Sequence, residues 1–280
     1  MGRANRTDCP RNHIGNSFVG EIMKITQIRS ATIIIEYAGA KFLVDPVLAP
    51  KGTYPGFPGT PHAELRNPLV DLPMSVEDIL NVDAVIVTHT HLDHFDPAAK
   101  EAVPRDMPIF SQNGNDAEAI RSAGFTNVSV LREDTRFKGL TLSKTSGQHG
   151  SDETLANPGM AAQLGEVSGV VFRHPEEKTA YLAGDTVWND KVASAITTYN
   201  PEVIIANAGW SQYIDFGGII MGAEDVLSVH QAAPDAVIVA THMEGFNLAP
   251  LKRGELRAFA REKGFSGSLL IPADGETVAL

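Results

Sequence analysis

Residues 88–94 constrain this chain more than any other segment. They read Thr-His-Thr-His-Leu-Asp-His and directly follow the apolar residues 84–87. Imidazole and carboxylate groups together bind Zn²⁺, Mn²⁺ or iron in preference to Ca²⁺ or Mg²⁺. A strand that ends in such a cluster presents metal ligands at the edge of a sheet, where a substrate can reach them. The segment therefore predicts a metal site on an α/β fold, and a histidine-rich surface loop is the weaker alternative.

Composition narrows the class of protein. The chain has 280 residues, a hydrophobic fraction of 43% and a formal net charge of −11. This length fits one α/β domain with a sizeable core. The negative charge disfavours nucleic-acid binding, because affinity for a duplex depends on Lys and Arg that neutralise phosphates. No segment is apolar over the length that a bilayer requires, so we expect no membrane anchor.

The N-terminal residues are predicted to lie outside the fold. Residues 1–22 are rich in Arg and Asn and lack the apolar core of a secretory signal. They contain Cys9, the single cysteine, so the chain can form no internal disulfide, which fits a reducing cytoplasm. We expect residues 1–22 to be a flexible extension and residues 23–280 to form one cytoplasmic domain.

Two stretches of the chain resemble each other. Residues 33–44 predict a hairpin that leads to Asp45, and residues 169–183 predict a second hairpin that leads to Asp185. Strands and helices alternate after the second hairpin, with helices predicted at 188–199, 223–232 and 251–263. This pattern predicts two related β/α halves whose sheets pack face to face, with helices outside.

Three more polar residues follow predicted strands: His149, Asp185 and His242. Binding sites of open α/β folds lie where strands pass into loops, so each is a candidate metal ligand. One histidine after a strand is more often structural, and the candidates gain weight only together. Asp96 and Pro97 instead fit the N-cap and first residue of a helix, so Asp96 is not counted as a ligand.

The ordered set of motifs resembles the metallo-β-lactamase superfamily. The motifs are Asp45, the run His89-x-His91-x-Asp93-His94, and then His149, Asp185 and His242. The resemblance implies a four-layer αββα sandwich that holds two divalent ions, Zn²⁺ or Mn²⁺, with iron as a third option. It implies that one ion is held by three histidines, His89, His91 and His149. The other ion would be held by Asp93, His94 and His242, and Asp185 would bridge the two.

Asp45 and Asp185 carry further expectations. Asp45 is a candidate to hydrogen-bond a ligand imidazole and fix its tautomer, although a simple turn before Pro46 explains it equally well. Many true β-lactamases have Cys where Asp185 stands, which argues against antibiotic hydrolysis. The chain is most similar to the branch that includes L-ascorbate-6-phosphate lactonase.

The predicted chemistry is hydrolysis. Two ions about 3.5–4 Å apart lower the pKa of a bridging water toward neutrality, and the hydroxide attacks carbon or phosphorus. Asp93 is suited to orient this hydroxide and accept its proton. The leading hypothesis is a metal-dependent hydrolase of a small ester or lactone, with or without a phosphate group. The alternatives are a small-molecule phosphodiesterase and a non-catalytic metal-binding protein.

Loops are expected to determine the substrate. The segment 47–73 is dense in Pro and Gly and has no periodicity, and such long loops are usually functional. Five residues are candidate contacts to a small-molecule substrate: Lys51, Arg66, Trp210, Tyr213 and Glu244. Solvated surface is the competing explanation for the two cations, and a homo-oligomer contact is the competing explanation for the aromatic pair.

Overall fold

The structure is a computed structural model that describes residues 22–280. Two seven-stranded mixed sheets form its centre. Cys9 and the predicted N-terminal extension, apart from Ile22, lie outside the described residues. No helix among the described residues is long and apolar enough to cross a membrane.

The first sheet contains the early strands of the chain together with the last one. Numbered along the chain, they are β1 Lys24–Arg29, β2 Thr32–Tyr37, β3 Ala40–Val44, β4 Ala84–Val87, β5 Ile109–Ser111, β6 Val128–Val130 and β16 Thr277–Ala279. Their spatial order is β16-β1-β2-β3-β4-β5-β6. The first strands pair antiparallel, whereas β3, β4, β5 and β6 are parallel.

The second sheet repeats this plan. Its strands are β7 Thr135–Phe137, β8 Leu140–Ser146, β9 Ser168–Arg173, β10 Ala180–Leu182, β11 Val203–Asn207, β14 Val237–Thr241 and β15 Leu269–Leu270. Their spatial order is β15-β14-β11-β10-β9-β8-β7. Strands β7 to β10 pair antiparallel, and β10, β11, β14 and β15 are parallel. A two-stranded ribbon lies apart, β12 Gln212–Tyr213 with β13 Gly217–Gly218.

Most of the helices cover the outer faces of the two sheets, whereas the two short helices after β8 pack in a separate apolar cluster with loop residues such as Ile219 and Leu248. The helices are α1 Val76–Ile79, α2 Pro97–Ala102, α3 Gly114–Ser122, α4 Asp152–Leu155, α5 Pro158–Leu164, α6 Asp190–Tyr199, α7 Ala223–Ala232 and α8 Arg253–Lys263. The amphipathic helix α6 shows why: its buried residues Val192, Ala195 and Ile196 recur at helical spacing. They pack with residues of β10 and β11 in one apolar cluster.

Alternation along the strands produces the four layers. In β4, Ala84 and Ile86 join the core between the sheets, whereas Val85 and Val87 pack toward helices α1, α2 and α3. Strand β11 divides in the same way, with Ile205 in the central core and Ile204 under the outer helices. The predicted αββα sandwich of two related halves is therefore confirmed.

The sequence missed the elements that have no clear periodicity. These are α4, α5, β7, β16 and the ribbon of β12 and β13, each of seven residues or fewer. The short helix predicted from Ser75 is confirmed, because the Ser75 side chain accepts a hydrogen bond from Asp78 N and caps α1. Asp96 is likewise confirmed as the N-cap of α2, since its carboxylate accepts from Ala99 N.

Candidate metal centre

The carboxyl ends of the parallel strands bring the candidate ligands together. The turn 88–94 follows β4, Asp45 follows β3 and Asp185 follows β10. His242 directly follows β14, and His149 lies in the loop after β8. Parallel strands end on the same side of a sheet, so residues far apart in sequence converge there.

Two groups of side chains and one shared carboxylate form the centre. The three-histidine cluster consists of His89, His91 and His149; the aspartate cluster consists of Asp93, His94 and His242. Within each cluster the potential ligand atoms lie within 4.8 Å of one another. Asp185 groups with His89 and His94 by the same measure, which places it between the clusters.

The outer ring nitrogens of the three-histidine cluster bind neutral oxygen atoms. His91 Nε2 donates to the carbonyl of Gln163 at 3.1 Å, and His149 Nδ1 donates to the carbonyl of Ile219 at 2.9 Å. Because a carbonyl only accepts, these bonds fix the tautomers and leave a lone pair on His91 Nδ1 and His149 Nε2. His91 Nδ1 lies 2.9 Å from His89 Nε2.

The aspartate cluster has a charged outer partner. His94 Nδ1 donates to Asp45 Oδ2 at 2.8 Å, and Asp45 also accepts from the backbone N and the hydroxyl of Thr88, each at 2.7 Å. His242 Nδ1 lies 3.1 Å from Ser30 Oγ. Asp45 therefore makes the contact that the sequence assigned to it, in which a carboxylate orients an imidazole.

The inward-facing atoms fit divalent cations. His94 Nε2 lies 3.1 Å from both Asp185 Oδ2 and His242 Nε2. His94 already donates Nδ1–H to Asp45, so the ring presents a lone pair inward once an ion displaces the proton from Nε2. Electron-rich nitrogen and carboxylate atoms this close repel one another without positive charge, and imidazole and carboxylate are suitable ligands for Zn²⁺, Mn²⁺ and iron.

A hydrogen-bonded chain holds Asp185 in the middle. Asn207 Nδ2 donates to Asp185 Oδ1 at 2.6 Å, and Thr241 Oγ1 donates to Asn207 Oδ1 at 2.9 Å. The other carboxylate oxygen, Oδ2, lies 3.6 Å from His242 Nε2 and 3.8 Å from His149 Nε2. One oxygen of Asp185 is thus anchored to the sheet while the other faces both clusters.

Burial and charge divide the centre electrostatically. Burial lowers the pKa of His89 well below its usual value, with His94 and His91 adding to the effect, and burial lowers the pKa of His149 to about 4. Burial also opposes protonation of His94, but Asp185 and Asp45 outweigh it and hold its pKa well above the usual value. The pKa of His242 is raised in the same sense, because Asp185 and Asp93 outweigh burial.

The two carboxylates remain ionised. Burial disfavours the charge on Asp93, but the imidazole of His242, whose Nε2 lies 3.6 Å from Asp93 Oδ2, and the charge of His94 outweigh it and lower its pKa to about 2. The pKa of Asp185 lies well below its usual value, since His94 and His242 outweigh burial. Ionised carboxylates and unprotonated imidazoles are the forms that bind metal.

Local backbone geometry at the centre is tightly constrained. Asp45 and His242 have left-handed backbones, with φ of 46° and 58°, a conformation that is uncommon for residues with side chains. A Cβ added to Gly209 would lie 2.0 Å from the carbonyl oxygen of His242. Such strained positions concentrate at functional sites, where the surrounding structure holds them.

A cavity of about 150 Å³ opens onto the centre. It is lined by part of the centre and by mostly apolar neighbours: His91, Asp93, His149, Asp185, Phe57, Leu92, Leu164, Ile219, Leu248, Gln163, Ser211 and Tyr213. Among the described residues no Lys or Arg lines it. The cavity thus combines a metal-binding wall with a neutral, largely apolar remainder.

Comparison with known proteins identifies the family. Residues 40–243 match the model of the "Beta-lactamase superfamily domain", which covers more than half of the chain. The chain belongs to the metallo-β-lactamase superfamily. Within that superfamily it is 52% identical to the UPF0173 protein YddR of Bacillus subtilis over 256 residues, which covers 91% of this chain and 99% of the relative. The chain is accordingly a member of the UPF0173 family of metal-dependent hydrolases, and the coarse prediction of a metal-dependent hydrolase is confirmed.

Two of the relatives are named for a specific activity. An isothiocyanate hydrolase from Delia radicum gut bacteria is 50% identical, with a TM-score of 0.90 over 92% of this chain and 99% of that one. N-acyl-phosphatidylethanolamine-hydrolyzing phospholipase D 1 of Caenorhabditis elegans is 33% identical over 183 residues, which covers 59% of this chain and 47% of the relative. The similarity to the isothiocyanate hydrolase extends over nearly the whole of both chains, whereas the similarity to the phospholipase covers about half of each protein.

The predicted substrate contacts are only partly placed at the cavity. Tyr213 lines it, whereas Lys51, Arg66, Trp210 and Glu244 do not. Arg66 instead donates to the carbonyls of Gly52 and Thr53, at 2.7 Å each, so its guanidinium is used within the loop.

The other three residues have different surroundings. Glu244 pairs with Arg253 at 2.6 Å. Lys51 is exposed at the surface, and Trp210, 46% exposed, borders a separate surface depression. Lys51, Arg66, Trp210 and Glu244 thus lie outside the lining of this cavity, and their contact with substrate stays a prediction, as does self-association of the chain.

Several residues of the site were missed from the sequence. Asn207 ends a strand, so the same signal that marked His242 could have found it. Ser30 lies in the turn between β1 and β2, and a polar turn residue gives no sign of a distant histidine partner. Gln163 reaches the cavity from α5, which the sequence did not predict. Ser211 reaches it from the loop before β12, where the sequence predicted its neighbours Trp210 and Tyr213 as contacts but not Ser211 itself.

Proposed function

We propose that this protein uses two divalent ions to hydrolyse a small uncharged substrate at an electron-poor carbon, and that organic isothiocyanates are its substrate class. The observation that carries the proposal is the cavity: a His/Asp wall faced by apolar side chains, with no Lys or Arg among the described lining residues. A phosphate or carboxylate substrate is normally bound by Lys or Arg side chains, and the described lining of this cavity contains neither. The 50% identity to an isothiocyanate hydrolase supports the class.

The chemistry of an isothiocyanate suits such a cavity. Its N=C=S group is uncharged and its central carbon accepts a hydroxide. Addition of water gives the thiocarbamic acid R–NH–C(=O)–SH, and cleavage of the N–C bond then gives R–NH₂ and O=C=S, so atoms and charge balance. The apolar residues Phe57, Leu164 and Leu248 would hold the organic substituent.

The proposed roles of the side chains follow from their positions. When bound, divalent ions supply a hydroxide near neutral pH and stabilise charge on the substrate. His89, His91 and His149 would hold one ion, Asp93, His94 and His242 the other, and Asp185 would contact both. Asp93 lines the cavity and lies 3.6 Å from His242 Nε2. It is the residue to orient the hydroxide and to accept the proton of the attacking water.

The other hypotheses predict different substrates for the same site. An ester or lactone would also be attacked at an electron-poor carbon, as the resemblance to the ascorbate-6-phosphate lactonase branch implies. A phosphate group on it would meet no Lys or Arg among the described residues that line the cavity. The phosphodiesterase hypothesis has support from the C. elegans phospholipase D. A non-catalytic metal-binding protein would need no substrate cavity beside the centre.

A substrate panel tests the proposal. Protein reconstituted separately with Zn²⁺, Mn²⁺ and Fe²⁺ would be incubated with benzyl isothiocyanate, a γ-lactone, p-nitrophenyl acetate and bis-p-nitrophenyl phosphate. Amine and carbonyl sulfide should form in equal amounts, with kcat/KM for the isothiocyanate at least about tenfold above the other three. Preferential cleavage of the phosphodiester or of the lactone would overturn the proposed substrate class, and inertness toward all four would favour a non-catalytic protein.

A further inference from the structure

Ser211 is a buried hydroxyl at the cavity that has no hydrogen-bond partner within the described part of the chain. The residue is 1% exposed, and its Oγ is among the buried polar atoms without a partner. Ser211 also belongs to the lining of the cavity, together with Asp93 and Asp185. Buried hydroxyls are nearly always hydrogen-bonded, so an unpaired one at a cavity calls for an explanation.

The backbone holds Ser211 in a fixed position. Ile219 N donates to the Ser211 carbonyl at 2.7 Å, and the amides on either side are also used: Trp210 N donates to Met221 and Gln212 N donates to Leu248, each at 3.0 Å. The hydroxyl can therefore rotate, but its Cα cannot move away from the cavity without breaking these bonds. A fixed donor needs no reorganisation when charge develops nearby.

The other neutral polar side chains that line the cavity, Gln163 and Tyr213, already form a hydrogen bond with each other. The side-chain amide of Gln163 donates to the hydroxyl oxygen of Tyr213, and the Gln163 carbonyl accepts from His91. Among the described lining residues, Ser211 is the neutral polar group whose hydrogen-bonding capacity is wholly unused. Asp93 and Asp185, which also line the cavity, are acceptors, so a hydrogen-bond acceptor on a substrate needs one of the neutral donors. Tyr213 and Gln163 are already bonded to each other, and among the described lining residues the hydroxyl of Ser211 is the neutral donor that has no partner.

We propose that the Ser211 hydroxyl donates a hydrogen bond to the substrate heteroatom that gains negative charge when the electron-poor carbon is attacked. This assignment rests on the proposed hydrolysis of a small uncharged substrate. For an isothiocyanate the heteroatom is the nitrogen, since sulfur is a weak acceptor. Ser211 does not change its own bonding in the step: it shares its hydrogen with the nitrogen, and water supplies the atoms that enter the products.

Ser211→Ala tests the assignment, with Ser168→Ala as the matched control. Ser168 Oγ is also buried and unpaired, with 1% of the residue exposed, but Ser168 does not line the cavity. With benzyl isothiocyanate, Ser211→Ala should lower kcat about 100-fold and change KM little, as loss of one such donor does elsewhere. Its metal content should equal that of the wild type and its Tm should be no lower, because the hydroxyl bonds nothing in the free protein. Ser168→Ala should keep the wild-type kcat.

The other outcomes separate the two proposals. Wild-type protein active on the isothiocyanate, with Ser211→Ala within twofold of it in kcat, would overturn the Ser211 assignment alone. A lower Tm or a lost ion in Ser211→Ala would also overturn it, since the hydroxyl would then be structural. Loss of activity in Ser168→Ala would show that removing any buried hydroxyl slows the enzyme, and would overturn it too. Wild-type protein inert toward isothiocyanates would overturn the proposed function and the assignment together.

Discussion

Both clusters of the metal centre contain histidine ligands, but the outer nitrogens of these histidines have different hydrogen-bond partners. In the three-histidine cluster, His91 and His149 donate to backbone carbonyls, which carry no net charge. In the aspartate cluster, His94 donates to the buried carboxylate of Asp45. The pKa of His149 is lowered to about 4 by burial, whereas the charges of Asp185 and Asp45 outweigh burial and raise the pKa of His94.

This difference assigns distinct properties to the two sites. His89 and His149 have lowered pKa values and present lone pairs at neutral pH, so an ion can bind these two rings without displacing a proton. A cluster rich in carboxylates binds a proton in the absence of metal, and an ion must compete with that proton. Metal binding to the three-histidine cluster is therefore expected to depend less on pH than metal binding to the aspartate cluster, which should become tighter as pH rises.

The largest expected effect comes from removing one ligand of each cluster. His91→Ala and Asp93→Ala should each lower kcat/KM by about 10²–10⁴-fold, because both an ion and the proton acceptor are needed for turnover. Circular dichroism should show an unchanged fold, since neither side chain belongs to the apolar core. Full turnover by a metal-loaded Asp93→Ala protein would contradict its role as the proton acceptor.

Removal of the shared carboxylate tests whether the two clusters depend on each other. Asp185→Ala should lower the metal content below two ions per chain, because Asp185 Oδ2 faces histidines of both clusters. Elemental analysis after dialysis would measure it. Two tightly held ions in this variant would show that the clusters bind independently and that Asp185 is no bridge.

The outer partners of the aspartate cluster give a graded test. Asp45→Ala should weaken metal binding at that cluster by about 10–100-fold, because His94 loses the carboxylate that fixes its tautomer. Ser30→Ala should weaken it less, because the Ser30 hydroxyl that contacts His242 carries no charge. Competition with a chromogenic chelator would measure both affinities. Equal losses in the two variants would mean that the charge of Asp45 is unimportant.

The pH dependence of metal binding is the most gradual test. When metal is absent, the His94 ring is protonated on both nitrogens near neutrality, because its pKa is raised. Lowering the pH therefore favours the proton over the ion in their competition for His94. Affinity of the aspartate cluster should fall about tenfold per pH unit for each proton displaced. His89 and His149 should release no proton to an ion between pH 8 and about pH 5, because the pKa of His89 is well below its usual value and that of His149 is about 4. The affinity of the three-histidine cluster should therefore depend less steeply on pH than that of the aspartate cluster. Calorimetry in buffers of different ionisation enthalpy would count the released protons, and identical pH profiles for both ions would remove the distinction.

Much of the fold could be predicted because its elements are periodic or bounded by clear signals. Residues 203–207 were predicted as a strand, and β11 covers Val203–Asn207. Helix α7, predicted at 223–232, covers Ala223–Ala232. Helices α4 and α5 were missed, because short segments that pack over a cavity bury too few residues to show a repeat.

The sequence by itself determined which residue types could hold metal, since the spacing within residues 88–94 and the polar residues after strands are local features. It also determined the layered fold. Successive apolar residues of a strand point to opposite faces of the sheet, so both faces must be covered. Only the tertiary structure decided that Asp45 contacts His94 across 49 positions of the chain, and that Ser30 contacts His242 across 212. It alone separated Tyr213, which lines the cavity, from Arg66, which binds its own loop. Contacts between distant residues depend on how the strands and loops pack together, and no local pattern of the sequence records that packing.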